Sequence, residues 1–441
     1  MAVCDSREAA LLALTACDRQ GAWSDGFLKK IGREGALDSR DMALATRLCF
    51  GVLQNRLLLD FWLGGLCSTR LDKLEQHILN CLRLGAYQLL MLDRIPDSAA
   101  VNESVKLARK YARNPRAAGL VNGVLRSLIR QRETLPQPPS DAVRFSHPDW
   151  LAEVFSRRLG PEEAAALMAA DNEQPPTVAQ VNTCLTTAEQ LKTSLEGEGV
   201  SVKPHPWLPD CLLLSDTGNL ERLEAYQKGW FYIQDAAARL AVLAAGPCPG
   251  MAVLDACAAP GGKSFAAAIA MGDRGQITSC DIHPHKMRLI EAGAARLGLT
   301  CISAKLLDGK NCQAEMLDKY DLVIADVPCS GLGIIRKKPD IRYKDPEPLE
   351  HLPQVQSAIL ENVACYVKPG GCLLYATCTL LERENEAVVN ALLDRYPHFT
   401  LEKLQLPGPF GTVDDGMITL WPHRDHTDGF FFAKLRREGM A

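Results

Sequence analysis

The stretch MAVLDACAAPGGKSFAAAIAM, residues 251–271, decides the fold. An apolar run ends at Cys257, passes through Pro260, Gly261 and Gly262, and becomes an alanine-rich segment. It predicts a buried strand over 251–257, a tight turn, and a helix over Lys263–Met271. The same rhythm repeats outward. QITSCDI (276–282) predicts a strand, His285–Leu297 a helix, and a short strand precedes Asp308 in LLDGK. DLVIADV (321–327) and GCLLYATC (371–378) are further apolar strands. Such alternation predicts a parallel, doubly wound α/β sheet of the Rossmann-like kind. Ligands of these sheets bind beyond the carboxyl ends of the strands.

Every chemically suggestive motif falls at such an end. The glycine pair in CAAPGGKS (257–264) lets the backbone come close to a ligand, and the helix behind it offers unpaired N–H groups. A phosphate-binding P-loop would carry a glycine where Cys257 stands, which weakens a nucleotidase reading. Asp281 lies about 20 residues beyond the turn, the spacing of a carboxylate that accepts ribose hydroxyls. An adenosine ligand without a triphosphate suits both observations. The bland alternative is an ordinary strand-to-helix turn with Asp281 as a helix cap, but Asp308 and Asp326 continue the series of strand-end acids.

Two cysteines stand at the same edge, Cys329 in DVPCSG (326–331) and Cys378 in YATCT (375–379). A thiol beside a nucleoside site is a strong nucleophile once ionised, and a second catalytic group is needed to undo its adduct. Cys49, Cys81 and Cys301 read instead as small apolar packing residues. Position singles out the pair without saying which thiol attacks.

The rest of the chain is organised differently. Its 441 residues, 47% hydrophobic and 23% charged, suffice for two or three cores. Residues 1–135 read as a helical domain, with amphipathic segments at Arg7–Ala16, Asp41–Leu59 and Leu71–Leu92. Asp38 and Ser39 are candidate N-caps for the second, and Pro96 blocks extension of the third. ETLPQPPS (133–140) is the best linker candidate. Residues 141–225 read as a small α/β module with a helix over Pro148–Ala170, strands TVAQVN (177–182) and CLLLSD (211–216), and a helix near Ala188–Glu196. Residues 226–441 form the third domain.

No long apolar run could cross a bilayer, and MAVCDSREAA at the start carries charges where a secretory signal needs apolar residues. A cytoplasmic protein without membrane association is expected. The sixteen cysteines contain no C-x-x-C spacing, so no metal site is expected. Net charge is −4, yet Ser104–Arg132 holds eight basic residues and no acid. Lys106, Arg109, Lys110 and Arg113 recur at helical spacing and could follow a phosphate backbone. A solvated helix face is the alternative.

DACAAPGGKS, DVPCSGLG, RKKPDIR and YATCT resemble the NOL1/NOP2/Sun family of RNA cytosine-5 methyltransferases. DSRDMALATRLCFGVLQNR (38–56), LRLGAYQLLMLDRIPDSAAVNESVKLAR (82–109) and GLVNGVLRSLIR (119–130) resemble a NusB-like domain, and TDGFFFAKLRR (427–437) also fits the family. The combination resembles bacterial members that act on 16S ribosomal RNA. The resemblance implies S-adenosylmethionine as cofactor, held by Cys257, Ala258, Ala259, Pro260, Gly261, Gly262, Lys263, Asp281, Asp308 and Asp326. It implies Cys378 as nucleophile, Cys329 as the group assisting release, and Asp326 as a catalytic carboxyl. Arg336, Lys337, Lys338 and Arg342, just after the Cys329 loop, would hold flanking phosphates of RNA, either free or in an early assembly intermediate. A monomer is expected. An RNA-binding assembly factor without activity is the competing reading, disfavoured by the retained cysteines and acid series.

Overall fold

Asp38 caps the helix Ser39–Gln54 as expected, its carboxylate accepting the Asp41 N–H at 2.8 Å. The computed structural model describes residues 5–35 and 37–439, so part of the N-terminal MAVCDSREAA reading lies outside the described residues. Among the described residues, no helix is long and apolar enough to cross a membrane. The chain divides into two units: Met1–Gln174 with Ile335–Lys344, and Pro175–Ile334 with Asp345–Ala441.

The first unit is helical. Its main helices are Ser6–Gln20, Ser24–Arg33, Ser39–Gln54, Arg56–Leu66, Gln76–Met91, Asp97–Tyr111 and Ala117–Gln131, closed over one leucine- and alanine-rich core. Three predicted helices differ in extent. Asp41–Leu59 is interrupted at Asn55, whose backbone leaves the helical region and whose side-chain amide takes the Gly51 carbonyl at 2.9 Å. Leu71–Leu92 becomes a short 3₁₀ turn and a helix from Gln76. Pro148–Ala170 splits at Gly160, whose φ of 81° stops one helix before Pro161 begins the next.

The segment Ile335–Lys344 belongs to this helical unit. Arg342 is fully buried there. It donates to the carbonyls of Phe145 (3.1 Å), Ser146 (3.3 Å) and Asp171 (3.2 Å) and to Asn172 Oδ1 (2.9 Å). Tyr343 Oη donates toward the carbonyls of Leu53 (2.7 Å) and Ser146 (3.0 Å). These side chains serve buried main-chain acceptors, of which the Phe145 carbonyl also takes the Asn172 amide at 2.9 Å.

The second unit carries two principal sheets. The smaller contains β1 (Thr177–Val181), β2 (Ser201–Pro204), β3 (Cys211–Ser215) and β4 (Phe231–Ile233), all antiparallel in the order β2-β3-β1-β4. Its helix Ala188–Gly197 begins with a reciprocal capping box between Thr187 and Gln190. β2 and β4 are short and have no clear alternation in the sequence.

The larger sheet holds β5 (Ala252–Asp255), β6 (Gln276–Asp281), β7 (Ile302–Leu306), β8 (Tyr320–Asp326), β9 (Val367–Thr377) and β10 (Phe399–Leu401). After the hairpin β11 (Leu404–Leu406) and β12 (Gly411–Val413) come β13 (Met417–Leu420) and β14 (Phe430–Arg437). Strand order is β10-β14-β9-β8-β5-β6-β7, with β13 also on β14. The run β9-β8-β5-β6-β7 is parallel as expected, but β14 is antiparallel to β9, β10 and β13, so the sheet is mixed. The connection 421–429 is too short for the crossover that a parallel β13–β14 pair would need. Along β14, Phe430 and Phe432 pack into one core while Phe431, Ala433 and Leu435 pack into the other. A strand buried on both faces therefore shows an unbroken apolar run.

Candidate active site

The carboxyl ends of β5, β6, β8 and β9 gather most of the groups singled out from the sequence. After β5 the chain turns, with the Ala258 N–H on the Cys280 carbonyl and the Gly261 N–H on the Ala258 carbonyl, both at 2.7 Å. Gly261 has φ 113°, and a Cβ there would lie 2.4 Å from the Phe265 ring. The helix Gly262–Ala270 follows at once. Beneath it, Ser264 Oγ donates to Asp255 Oδ2 at 2.7 Å and lies 2.7 Å from Ser279 Oγ, which ties β5, β6 and the helix together. Burial, opposed by the Ser264 bond and reinforced by the nearby Asp326 charge, pushes the Asp255 carboxyl up to about 7.

The remaining acids line the same edge. Asp281, at the end of β6, accepts the His283 N–H at 3.0 Å and faces Lys286 Nζ at 3.4 Å. Ile282 beside it is 50% exposed, an apolar surface at the site that the sequence reading passed over. Asp308, in the loop after β7, accepts the Lys310 N–H at 3.0 Å. Lys263 Nζ lies 2.5 Å from Asp326 Oδ2 and 5.0 Å from the centre of the Phe430 ring. The Cys257 thiol is pushed up by burial and then by the nearby carboxylates of Asp255, Asp326 and Asp281. This acid-lined turn suits a ligand that carries ribose hydroxyls and a positive charge.

Cys329 and Cys378 meet with their sulfurs 3.2 Å apart. Register explains this: β8 and β9 are parallel neighbours pairing Asp326 with Ala376, and each cysteine lies just past that rung. The Cys329 thiol is held well above its usual range, first by its hydrogen bond with Cys378, then by burial, the Cys378 charge and the Glu384 carboxylate. Cys329 is thus kept as a protonated thiol beside Cys378. The structure brings Cys257–Lys263, Asp281, Asp326, Cys329 and Cys378 to one sheet edge.

The basic residues fare differently. Lys106, Arg109 and Lys110 are exposed on the helix Asp97–Tyr111, with Lys106 paired to Glu103 at 2.6 Å and Lys110 paired to Glu8. Arg113 is exposed but lies beyond the helix end, so the four do not form one helical face. Arg342 must be corrected as a phosphate contact: its guanidinium is spent on buried carbonyls. Arg336 is also buried, at 6% exposure, while Lys337 and Lys338 are half-buried. A run of basic residues does not distinguish solvent-facing from inward-facing arginines.

Residues 242–436 match the family described as 16S rRNA methyltransferase RsmB/F, residues 5–130 the NusB family, and residues 147–221 the ferredoxin-like domain of RsmF/B-like methyltransferases. A probable ribosomal RNA small subunit methyltransferase B of Bacillus subtilis is 36% identical over 449 residues, covering 98% of this chain and 99% of the relative. The ribosomal RNA small subunit methyltransferase B of Salmonella arizonae is 35% identical over 401 residues, covering 90% of each chain. The crystal structure of PH0851 shares the fold, with a TM-score of 0.81 over 98% of both chains at 24% identity. Fold and site together define a Rossmann-like methyltransferase domain preceded by a NusB domain and a ferredoxin-like module. More narrowly, the chain belongs to the RsmB/F family of 16S rRNA methyltransferases.

Proposed function

We propose that this protein methylates carbon 5 of a specific cytosine in 16S ribosomal RNA, using S-adenosylmethionine and a covalent Cys378 adduct. The observation that carries the reading is the 3.2 Å approach of Cys329 and Cys378 beside Asp326 at the acid-lined strand ends. When bound, S-adenosylmethionine supplies an electrophilic methyl group on a sulfonium. Residues Cys257–Lys263, Asp281, Asp308 and Asp326 hold it, the acids matching its ribose hydroxyls and positive charge.

Carbon 5 of cytosine is too weak a nucleophile to be methylated unaided. Attack of Cys378 Sγ on carbon 6 forms a C–S bond and turns carbon 5 into an enamine carbon that can take a methyl group. The Asp326 carboxyl hydrogen-bonds the ring nitrogen edge, where charge develops. After methyl transfer, water takes the carbon-5 proton, the C6–S bond breaks, and Cys329 passes its proton to the departing Cys378 sulfur. The base must leave any stack to reach the pocket.

Lys106, Arg109, Lys110 and Arg113 contact RNA phosphates in this reading, with Lys337 and Lys338 as secondary contacts. The division into 1–135, 141–225 and 226–441, a cytoplasmic location, a monomeric state, and RNA taken free or in an early assembly intermediate belong to the same reading. Incubation with methyl-labelled S-adenosylmethionine and undermethylated 16S RNA tests it. Label at cytosine carbon 5 is expected; absence of label there overturns the reading.

A further inference from the structure

Glu384 is fully buried, although a carboxylate is among the costliest groups to desolvate. Its Oε2 accepts two N–H groups, the Ser330 main chain at 2.9 Å and Gln356 Nε2 at 2.8 Å. Gln356 Nε2 also reaches the Pro328 carbonyl at 3.0 Å, so Glu384 grips the Cys329 loop on both sides of the thiol. Asn385, the next residue, precedes the helix Glu386–Arg395 but makes no side-chain cap bond. Its amide instead donates to the Thr379 carbonyl at 3.0 Å and accepts from Thr377 Oγ1 at 2.6 Å, bracketing Cys378. Packing alone gives no reason for a buried acid here, since an apolar residue of similar volume would avoid the desolvation cost.

We propose that Glu384 and Asn385 are a positioning pair that sets Cys329 and Cys378 face to face, one holding each cysteine loop. Because the two residues are joined by a single peptide bond, the separation of the loops is fixed at its source. Neither side chain touches the reacting base. Both act through the thiols they place, so the proposal rests on the proposed use of those thiols, while its first test needs no RNA.

The test is oxidation of the intact protein by diamide. Two facing thiols give up two protons and two electrons to the azo bond, which becomes a hydrazine, and one S–S bond forms. The Cys329–Cys378 peptide pair is quantified by mass spectrometry, and S-adenosylmethionine binding is measured by calorimetry on the same samples. Wild type is expected to link the pair rapidly, and Glu384→Ala and Asn385→Asp at least tenfold more slowly, with cofactor affinity within twofold of wild type. Glu384→Gln retains an oxygen for both N–H groups and is expected to recover most of the rate, which also covers the case in which the alanine variant fails to fold. Wild-type linking rates in both Asn385→Asp and Glu384→Ala, or a glutamine variant as slow as alanine, would overturn the pair. Rapid wild-type linking together with absent cytosine methylation would instead sink the functional reading and leave the pair standing.

Discussion

Cys329 and Cys378 lie three and two residues beyond the Asp326–Ala376 rung of two neighbouring parallel strands, and their sulfurs approach to 3.2 Å. Their environments are unequal: the hydrogen bond with Cys378, then burial, the Cys378 charge and the Glu384 carboxylate push the Cys329 thiol well above its usual range. Two like groups in unlike surroundings are suited to one attacking and one assisting role.

The two thiols should therefore fail differently. Cys378→Ala is expected to abolish methyl transfer, at least ~10³-fold, as loss of a covalent nucleophile does. Cys329→Ala should leave a protein–RNA adduct that survives denaturing gel electrophoresis. The reverse pattern on the gel would exchange the roles.

Asp255 should cost stability as pH rises. Its folded carboxyl titrates at about 7 against an ordinary 3.8, so its contribution is fully present below pH 3.8 and is lost as pH climbs through about 7. The slope within that window is about 1.4 kcal/mol per pH unit at most. Asp255→Asn should remove this slope and gain on wild type between pH 5 and pH 8. Parallel urea unfolding curves at the two pH values would contradict it.

Arg342 should matter for folding and the exposed basic residues for RNA. Arg342→Met takes the donor from the buried Asp171 carbonyl and from Asn172 Oδ1 and should cost about 1–3 kcal/mol in urea unfolding of the helical unit. Lys106→Glu with Arg109→Glu should leave stability nearly unchanged and weaken RNA binding with a shallower salt dependence, by about one unit of slope per lost phosphate contact. Unchanged RNA affinity in that double variant would return the helix Asp97–Tyr111 to a solvated surface.

Gly261→Ala should impair the cofactor turn. The added methyl meets the Phe265 ring in a backbone region that L residues avoid. Strain of roughly 1–3 kcal/mol corresponds to a loss of about 5- to 150-fold in S-adenosylmethionine affinity. Calorimetry that gives wild-type affinity would remove Gly261 from the site.

The parallel strands and the sheet edge were legible because buried strands are continuous apolar runs punctuated by glycine and acids. β14 was not, since direction depends on connection length and on β9 as a partner, neither of which is a local property. The segment 336–342 misled for a related reason: inward-facing Arg342 and half-buried Lys337 have the same local sequence signature. Glu384 and Asn385 carried no signal at all. A buried acid is recognisable only once the Ser330 and Thr379 main-chain groups that it and its neighbour serve are in place.

The excursion of Ile335–Lys344 into the helical unit also has a consequence in time. Domains ordinarily fold from the N-terminus as synthesis proceeds. Here the carbonyls of Ser146 and Asp171 wait for Arg342 and Tyr343, which are made only after both glycine turn and Cys329 loop have emerged. The first part of the chain to appear is therefore among the last to be finished, and a nascent protein that stalls before residue 342 carries an unclosed helical unit.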